Sequence, residues 1–433
     1  MNDESDRAPV AHEPAPASSE GFELPMLTQA PTPTQPPKQA QAPTQAPAVS
    51  VEPQRRPLTR VELDIVGRTP RGPWTDIPDA LWNDWRWQQR NRLRTADDLA
   101  HLIRLTDSER QAIAKTAGEF RMALTPYYAM LMDPLDPECP VRRQAIPRLE
   151  ELDTAPTDLA DPLGEENYMP VPGITHRYPD RVLFYVTHNC PVYCRHCTRK
   201  RKVSDPTSAA SHDQLDLGLD YIRSHPEVRD VLVSGGDPMT LSDDRLDQLL
   251  TSLREIPHVE VIRLCTRNPV TLPQRFTPDL VKRLQKHAPL FVHTHFNTPR
   301  ECSPEAARTL RLLADHGLNV ANQMVLLRGV NDSAAPIREV NVWLLRQRCR
   351  PYYLFQADLA QGISHFRVPV AEGLEIMRQL RGPVSGMAVP TYVIDAPGGG
   401  GKIPMVPAYV DHMDETTVSF TNWRGDRYEY PAK

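Results

Sequence analysis

The chain has 433 residues, 40% of them apolar, which is enough for one large barrel with additions or for two or three smaller domains. Its formal net charge of -5 provides no global basic field for a nucleic acid or an anionic membrane surface. No apolar run approaches the roughly 20 residues of a membrane span, so the balance fits an enzyme of small molecules.

Residues 1–58 are rich in Pro, Ala, Gln and Thr, as in Ala30-Pro-Thr-Pro-Thr-Gln-Pro-Pro37. Such a segment cannot bury enough apolar surface to offset its ordering entropy, and a disordered tail is predicted. It opens with Met-Asn-Asp-Glu-Ser-Asp, acidic where a secretory signal would be basic, so a cytoplasmic protein is expected. Seven cysteines without a regular framework agree with a reducing compartment.

Residues 59–170 read as a helical region. Leu81, Trp82, Trp85, Leu93, Leu99, Leu102 and Ile103 recur at helical steps among charged residues. Thr106-Asp-Ser-Glu109 then forms a capping box ahead of Ile113 and Thr116. Pro126 and the cluster Asp133-Pro-Leu-Asp-Pro137 close that block.

From residue 171 to 372, apolar runs alternate with amphipathic segments. Six strands are predicted, at 181–186, 228–233, 259–264, 290–294, 320–326 and 351–355, with helices at 213–223, 242–254, 278–286, 304–315 and 336–346. A βα repeat of this kind builds a parallel sheet with right-handed crossovers, so the fold class is α/β and the six units predict a partial (β/α)6 barrel. Active sites of such barrels gather where the strands end. Polar residues stand there after each strand: the cysteines of 190–197, Ser234-Gly235-Gly236-Asp237, Cys265-Thr266-Arg267, His293-Thr-His295, Gln323 and Asp358.

Three thiols fall within eight residues in Cys190-Pro-Val-Tyr-Cys194-Arg-His-Cys197. Thiolates hold zinc or iron, and no second Cys or His pair follows at short range to complete a zinc ribbon. A three-thiol zinc site and a four-iron cluster with one open iron both remain compatible with these residues. The Gly235-Gly236 pair lets a backbone approach a ligand, and Asp237 can accept from an ammonium or cap the following turn. Near the C-terminus, Asp395-Ala-Pro-Gly398-Gly-Gly-Gly401-Lys402-Ile-Pro404 presents one lysine on a flexible glycine hinge. It is no Walker loop, because Ile403 replaces the Ser or Thr that binds magnesium and Pro404 blocks a helix. A lone lysine on glycines suits a Schiff base with pyridoxal phosphate.

The C-x3-C-x2-C spacing, with Tyr193 before the middle cysteine, resembles the signature of radical S-adenosylmethionine enzymes. Together with the Pro-Gly-Gly-Gly-Gly-Lys-x-Pro run, with Trp85-Arg-Trp87-Gln-Gln-Arg-Asn-Arg92 and with Cys139-Pro-Val-Arg-Arg-Gln-Ala-Ile-Pro147, it makes residues from about Trp82 to Tyr409 resemble the lysine 2,3-aminomutase family. The resemblance implies a 4Fe-4S cluster on Cys190, Cys194 and Cys197, and S-adenosylmethionine contacts from Gly235, Gly236, Asp237, His295 and Gln323. It implies pyridoxal phosphate on Lys402 with its phosphate on Arg177 and Arg181, substrate carboxylate on Arg199, and a distal cation between Asp358 and Asp395. Residues 373–433 then form a C-terminal region carrying the pyridoxal lysine.

A deoxyadenosyl radical lifting a C3 hydrogen, with nitrogen migrating from C2 to C3, is the implied chemistry. Two carboxylates in a closed site are costly without a cation, so the expected substrate is L-lysine, with arginine as the alternative and a non-catalytic zinc protein as the rival of a different class. A flavodoxin or ferredoxin reductant and a homo-oligomer are expected by analogy. The C-terminal zinc cysteines that some relatives use in assembly have no counterpart, since no Cys follows Cys349.

Overall fold

The six predicted strands appear in order as the middle of one sheet. A computed structural model describes residues 59–203 and 212–433, so the predicted tail lies outside the described residues. The strands are β1 (Ile174–Tyr178), β2 (Arg181–Thr187), β3 (Asp230–Gly235), β4 (Val261–Cys265), β5 (Leu290–Thr294), β6 (Asn319–Leu326), β7 (Cys349–Gln356), β8 (Thr391–Ala396) and β9 (Gly401–Pro404). They are hydrogen-bonded in sequence order. Pairs from β2 to β8 are parallel, while β1 and β9 run antiparallel at the two edges.

Side-chain alternation decides what each face does. Leu232 and Ser234, Arg263 and Cys265, Gln323 and Val325, and Tyr353 and Phe355 stand two apart and line one internal cavity. Their neighbours Val231, Val233, Ile262, Leu264, Met324 and Leu354 point the other way and are buried in the main apolar core. Helices cover that outer face. The helix Asp243–Arg254 buries Leu246, Leu249, Leu250 and Leu253, a three- and four-residue spacing that makes one apolar stripe, and Ser242 caps its start. Thr277 and Ser303 cap Pro278–Gln285 and Pro304–Asp315 in the same way, each with Pro in the first turn.

Because β1 and β9 line the same cavity, the open sheet curls until its edges face each other. They touch where the Lys402 backbone N–H donates to the Tyr178 hydroxyl at 3.0 Å. This is the barrel-like arrangement expected, with one parallel strand more than predicted. The Gly-rich run also differs from the expected hinge: it is the turn of a β8–β9 hairpin in which Asp395 pairs with Lys402. Gly398 and Gly399 hold φ of 69° and 93°, left-handed values that side-chain-bearing residues rarely adopt.

The N-terminal region is helical in short pieces rather than one long pattern. Asp84 caps Trp85–Arg90, Thr95 caps Ala96–Ala100, and Thr106 with Glu109 forms the expected capping box on Asp107–Thr116. Each polar cap competes for the backbone and restarts the helix, which hydrophobic spacing alone does not reveal. At the C-terminus β10 (Val410–Met413), β11 (Thr417–Thr421) and β12 (Arg427–Pro431) form a separate antiparallel sheet.

Candidate active site

The cysteine loop leaves the end of β2 and is held by the residues between its thiols. Tyr193 N–H donates to the Ala123 carbonyl at 2.9 Å, and Arg195 N–H donates to that of Gln144 at 2.8 Å. The Arg195 side chain is 1% exposed and binds Glu151, which also accepts from Lys200 at 2.7 Å. Arg92 reaches across to the Cys190 carbonyl at 2.6 Å. With its backbone fixed by these neighbours, the loop carries Cys190, Cys194 and Cys197 outside any disulfide.

Among the described residues no three His, Cys, Asp or Glu side chains converge as a ligand set for a single metal ion. A zinc site needs its sulfurs within tetrahedral reach of one centre, whereas a four-iron cluster takes each thiolate on a different iron and accepts a wider spread. Cys194 Sγ accepts from Arg267 Nη1 at 2.7 Å, a cationic donor suited to a thiolate. Burial pushes the Cys197 thiol up to about 11 and Cys190 well above its ordinary range, so a bound metal is what would hold them as thiolates.

Gly235, Gly236 and Asp237 serve this loop rather than open space. A Cβ on Gly235 would stand 2.5 Å from the Thr187 carbonyl oxygen, and one on Gly236 the same distance from that of Asn189. The close approach these glycines permit is therefore to the backbone leading into Cys190. Asp237 is 4% exposed, and its carboxylate accepts from Thr266 Oγ1 at 2.7 Å, Arg267 N at 2.8 Å and Met239 N at 3.0 Å. Burial raises it to about 6 against those hydrogen bonds. Asp237 thus caps the following turn, as its sequence context allows, and ties the end of β3 to that of β4.

The remaining predicted residues meet in the barrel cavity, of about 540 Å³. Arg177, Arg181, Arg199, His295, Gln323, Asp358, Asp395 and Lys402 all line it. Lys402 Nζ lies 3.1 Å from both carboxylate oxygens of Asp395. Asp358 accepts from Thr198 Oγ1 at 2.6 Å, and burial, reinforced by the nearby Asp395, raises it to about 6. Arg177 and Arg181 flank the ring of Tyr178, Arg181 at 3.7 Å from its centroid. Arg177 Nε is buried without a partner, as is His295 Nε2, so both are polar edges that a bound ligand would complete. Burial, with Arg267 nearby, lowers His295 to about 3 and keeps it neutral. Gln323 Nε2 lies 3.1 Å from His293 Nδ1. Cys265 also faces the cavity, and burial raises it to about 11.

Glu165 has no counterpart among the predicted residues. Its carboxylate takes Arg199 Nε at 2.9 Å and Nη2 at 2.6 Å, and the Tyr185 hydroxyl donates to it as well. Burial alone would raise Glu165, but Arg199 beside it holds it below the usual carboxylate range. Arg199 thus enters the cavity already fixed along one edge of its guanidinium. The cations that follow Arg199 are also paired: Lys200 meets Glu151, and Arg201 meets Glu166 at 3.1 Å and Asp161 at 3.3 Å.

Sequence comparison gives two family models. One described as Radical SAM superfamily matches residues 184–337, and one described as Lysine-2,3-aminomutase matches residues 377–432. An L-lysine 2,3-aminomutase of Clostridium subterminale is 51% identical over 350 residues, 81% of this chain and 84% of the relative. The L-lysine 2,3-aminomutase of Bacillus subtilis is 48% identical over 358 residues, 83% of this chain and 76% of the relative. A glutamate 2,3-aminomutase of Clostridioides difficile is 44% identical over 344 residues, 79% of this chain and 81% of the relative.

Proposed function

We propose, from the premise that the chain belongs to the lysine 2,3-aminomutase family of radical S-adenosylmethionine isomerases, that it moves the α-amino group of free L-lysine from C2 to C3. A cluster of four irons and S-adenosylmethionine supply the hydrogen-abstracting radical in this family, and pyridoxal phosphate held by Lys402 would carry the migrating nitrogen. Overall identity does not select the amino acid, since a glutamate enzyme is 44% identical.

The observation that carries the choice is the placement of Asp358 and Asp395 in one cavity beside Lys402. Two neighbouring carboxylates repel each other and attract a cation, so a glutamate side chain would meet like charge there while the lysine ammonium would satisfy both. Lys402 now pairs with Asp395, which also has Arg177 at 3.8 Å; once Lys402 leaves it, the two carboxylates still carry an excess of negative charge for the distal ammonium. Arg177, whose Nη2 lies 3.8 Å from Asp395 Oδ1, and Arg181 provide two guanidiniums suited to a phosphate dianion. Arg199, steadied by Glu165, is the cation available for the substrate carboxylate. Burial of the cavity between strands excludes water from a carbon radical. The electron would come from an external one-electron donor of the flavodoxin or ferredoxin class.

The test is anaerobic incubation of the reconstituted enzyme, with a reductant, S-adenosylmethionine and pyridoxal phosphate, on lysine, arginine and glutamate separately. β-Lysine should form fastest. Preferential turnover of glutamate would remove the carboxylate argument, and preferential turnover of arginine would keep it while replacing the substrate.

A further inference from the structure

Arg267, just beyond β4, is a buried cation whose contacts join the cysteine loop to the ends of β3 and β5 and to the N-terminal region. Its Nε donates to the His295 carbonyl at 3.1 Å. Its Nη2 donates to Glu301 Oε1 and to Gln144 Oε1, both at 2.7 Å, and stands 3.3 Å from the Tyr128 hydroxyl. Its backbone N–H goes to Asp237. These partners fix the plane of the guanidinium and leave Nη1 aimed at Cys194 Sγ, 2.7 Å away. Glu301 is fully buried and itself accepts from Tyr128 and from the Asn297 backbone, so the anchor is as rigid as the arginine.

A guanidinium costs free energy to bury, and a neutral donor could have filled the same hydrogen bonds to Gln144 and to the carbonyl. Its charge is balanced by the Glu301 carboxylate, and its free edge faces the Cys194 sulfur. A donor on a cluster sulfur, and positive charge beside it, stabilise the form carrying one more electron.

We propose that Arg267 is a positioning residue for the cluster: it orients Cys194 through an N–H···S hydrogen bond and raises the cluster's reduction potential. This rests on the assignment of a cluster to Cys190, Cys194 and Cys197. Removing the bond makes the cluster harder to reduce, and a lysine in its place keeps the charge but loses the planar fork.

Two measurements on the full chain test this. In native protein reconstituted with iron and sulfide and labelled with 15N-arginine, pulsed electron paramagnetic resonance of the reduced cluster should detect a 15N coupling. Its absence overturns the proposal without requiring any variant to fold. In a redox titration without S-adenosylmethionine, Arg267→Met should shift the reduction equilibrium about tenfold toward the oxidised cluster, or about 59 mV for one electron, and Arg267→Lys should shift it less. An unchanged potential in Arg267→Met with native iron content overturns the proposal. Wild-type protein that takes up no iron would remove the cluster assignment and this inference together. A normal cluster without arginine coupling removes only the inference.

Discussion

Replacing Asp358 by Asn changes the charge of one of the two carboxylates and little else. Thr198 can still donate to the amide oxygen, and Asp395 with Lys402 is untouched. Removing one partner from a buried, hydrogen-bonded charge pair costs about 2–5 kcal/mol. Asp358 is half-buried at the cavity wall, and Asp395 remains to hold the substrate ammonium, so the lower end applies. A loss of about 2 kcal/mol weakens lysine binding roughly 30-fold.

The pH dependence separates this from a general disturbance. Asp358 is raised to about 6 by burial and by Asp395, and it must be ionised to attract an ammonium. Wild-type affinity for lysine should therefore be full above about pH 6 and fall as pH drops through it, approaching about tenfold per unit. Asp358→Asn should lack that limb. The assay is KM for lysine from pH 5 to 8, alongside inhibition by 2-aminohexanoate, which has the same chain without the ammonium. Only lysine should respond to the substitution. Equal losses for both compounds, or a wild-type KM that is flat across that range, would refute the reasoning.

Lys402→Ala should abolish isomerisation and the trapping of pyridoxal phosphate on the chain by borohydride; wild-type trapping in the variant would show that another amine holds the aldehyde. The substitution also removes the nearer of two cations beside the Asp395 carboxylate, whose side chain is only 6% exposed, and leaves Arg177 at 3.8 Å, so a drop in melting temperature should accompany it. Gly236→Ala forces a Cβ to within 2.5 Å of the Asn189 carbonyl, an overpacking worth about 1–3 kcal/mol against the backbone that leads to Cys190. Iron retained after reconstitution should fall while helix content persists. Gly118→Ala, which meets nothing within 4 Å, is the control.

The parts of the fold legible in the sequence are those specified by nearest neighbours. Strands β2 to β7 announce themselves as apolar runs, and the capped helices between them begin at Ser or Thr beside Pro. The hairpin of β8 and β9 does not. Thr391–Ala396 is short and only partly buried, and the glycines beside it read as slack until the register with Lys402 is known. Residue types at the site were legible, because three close thiols or a lysine among glycines have few other uses. Their partners were not. Arg267 meets Cys194 across 73 positions, and Glu165 meets Arg199 across 34. Such contacts depend on which strand ends the sheet brings together. The same limit hides the bridge from Asp237 to Thr266, which joins the ends of two strands.

The register of that hairpin links the fold to the proposed chemistry. Asp395 and Lys402 are direct partners across an antiparallel pair, so their side chains share a face and are held together before any ligand arrives. A slip of one residue would turn Lys402 to the opposite face, away from the cavity. Ala396 pairs with Gly401, so residues 397–400 alone must close the turn, and Gly399 can do so only because it lacks a Cβ, which would lie 2.4 Å from the Tyr168 ring. The glycines thus fix the lysine rather than free its backbone. Movement is left to its four-carbon side chain, which can exchange Asp395 for a partner elsewhere in the cavity while β9 stays bonded to β8 and to Tyr178.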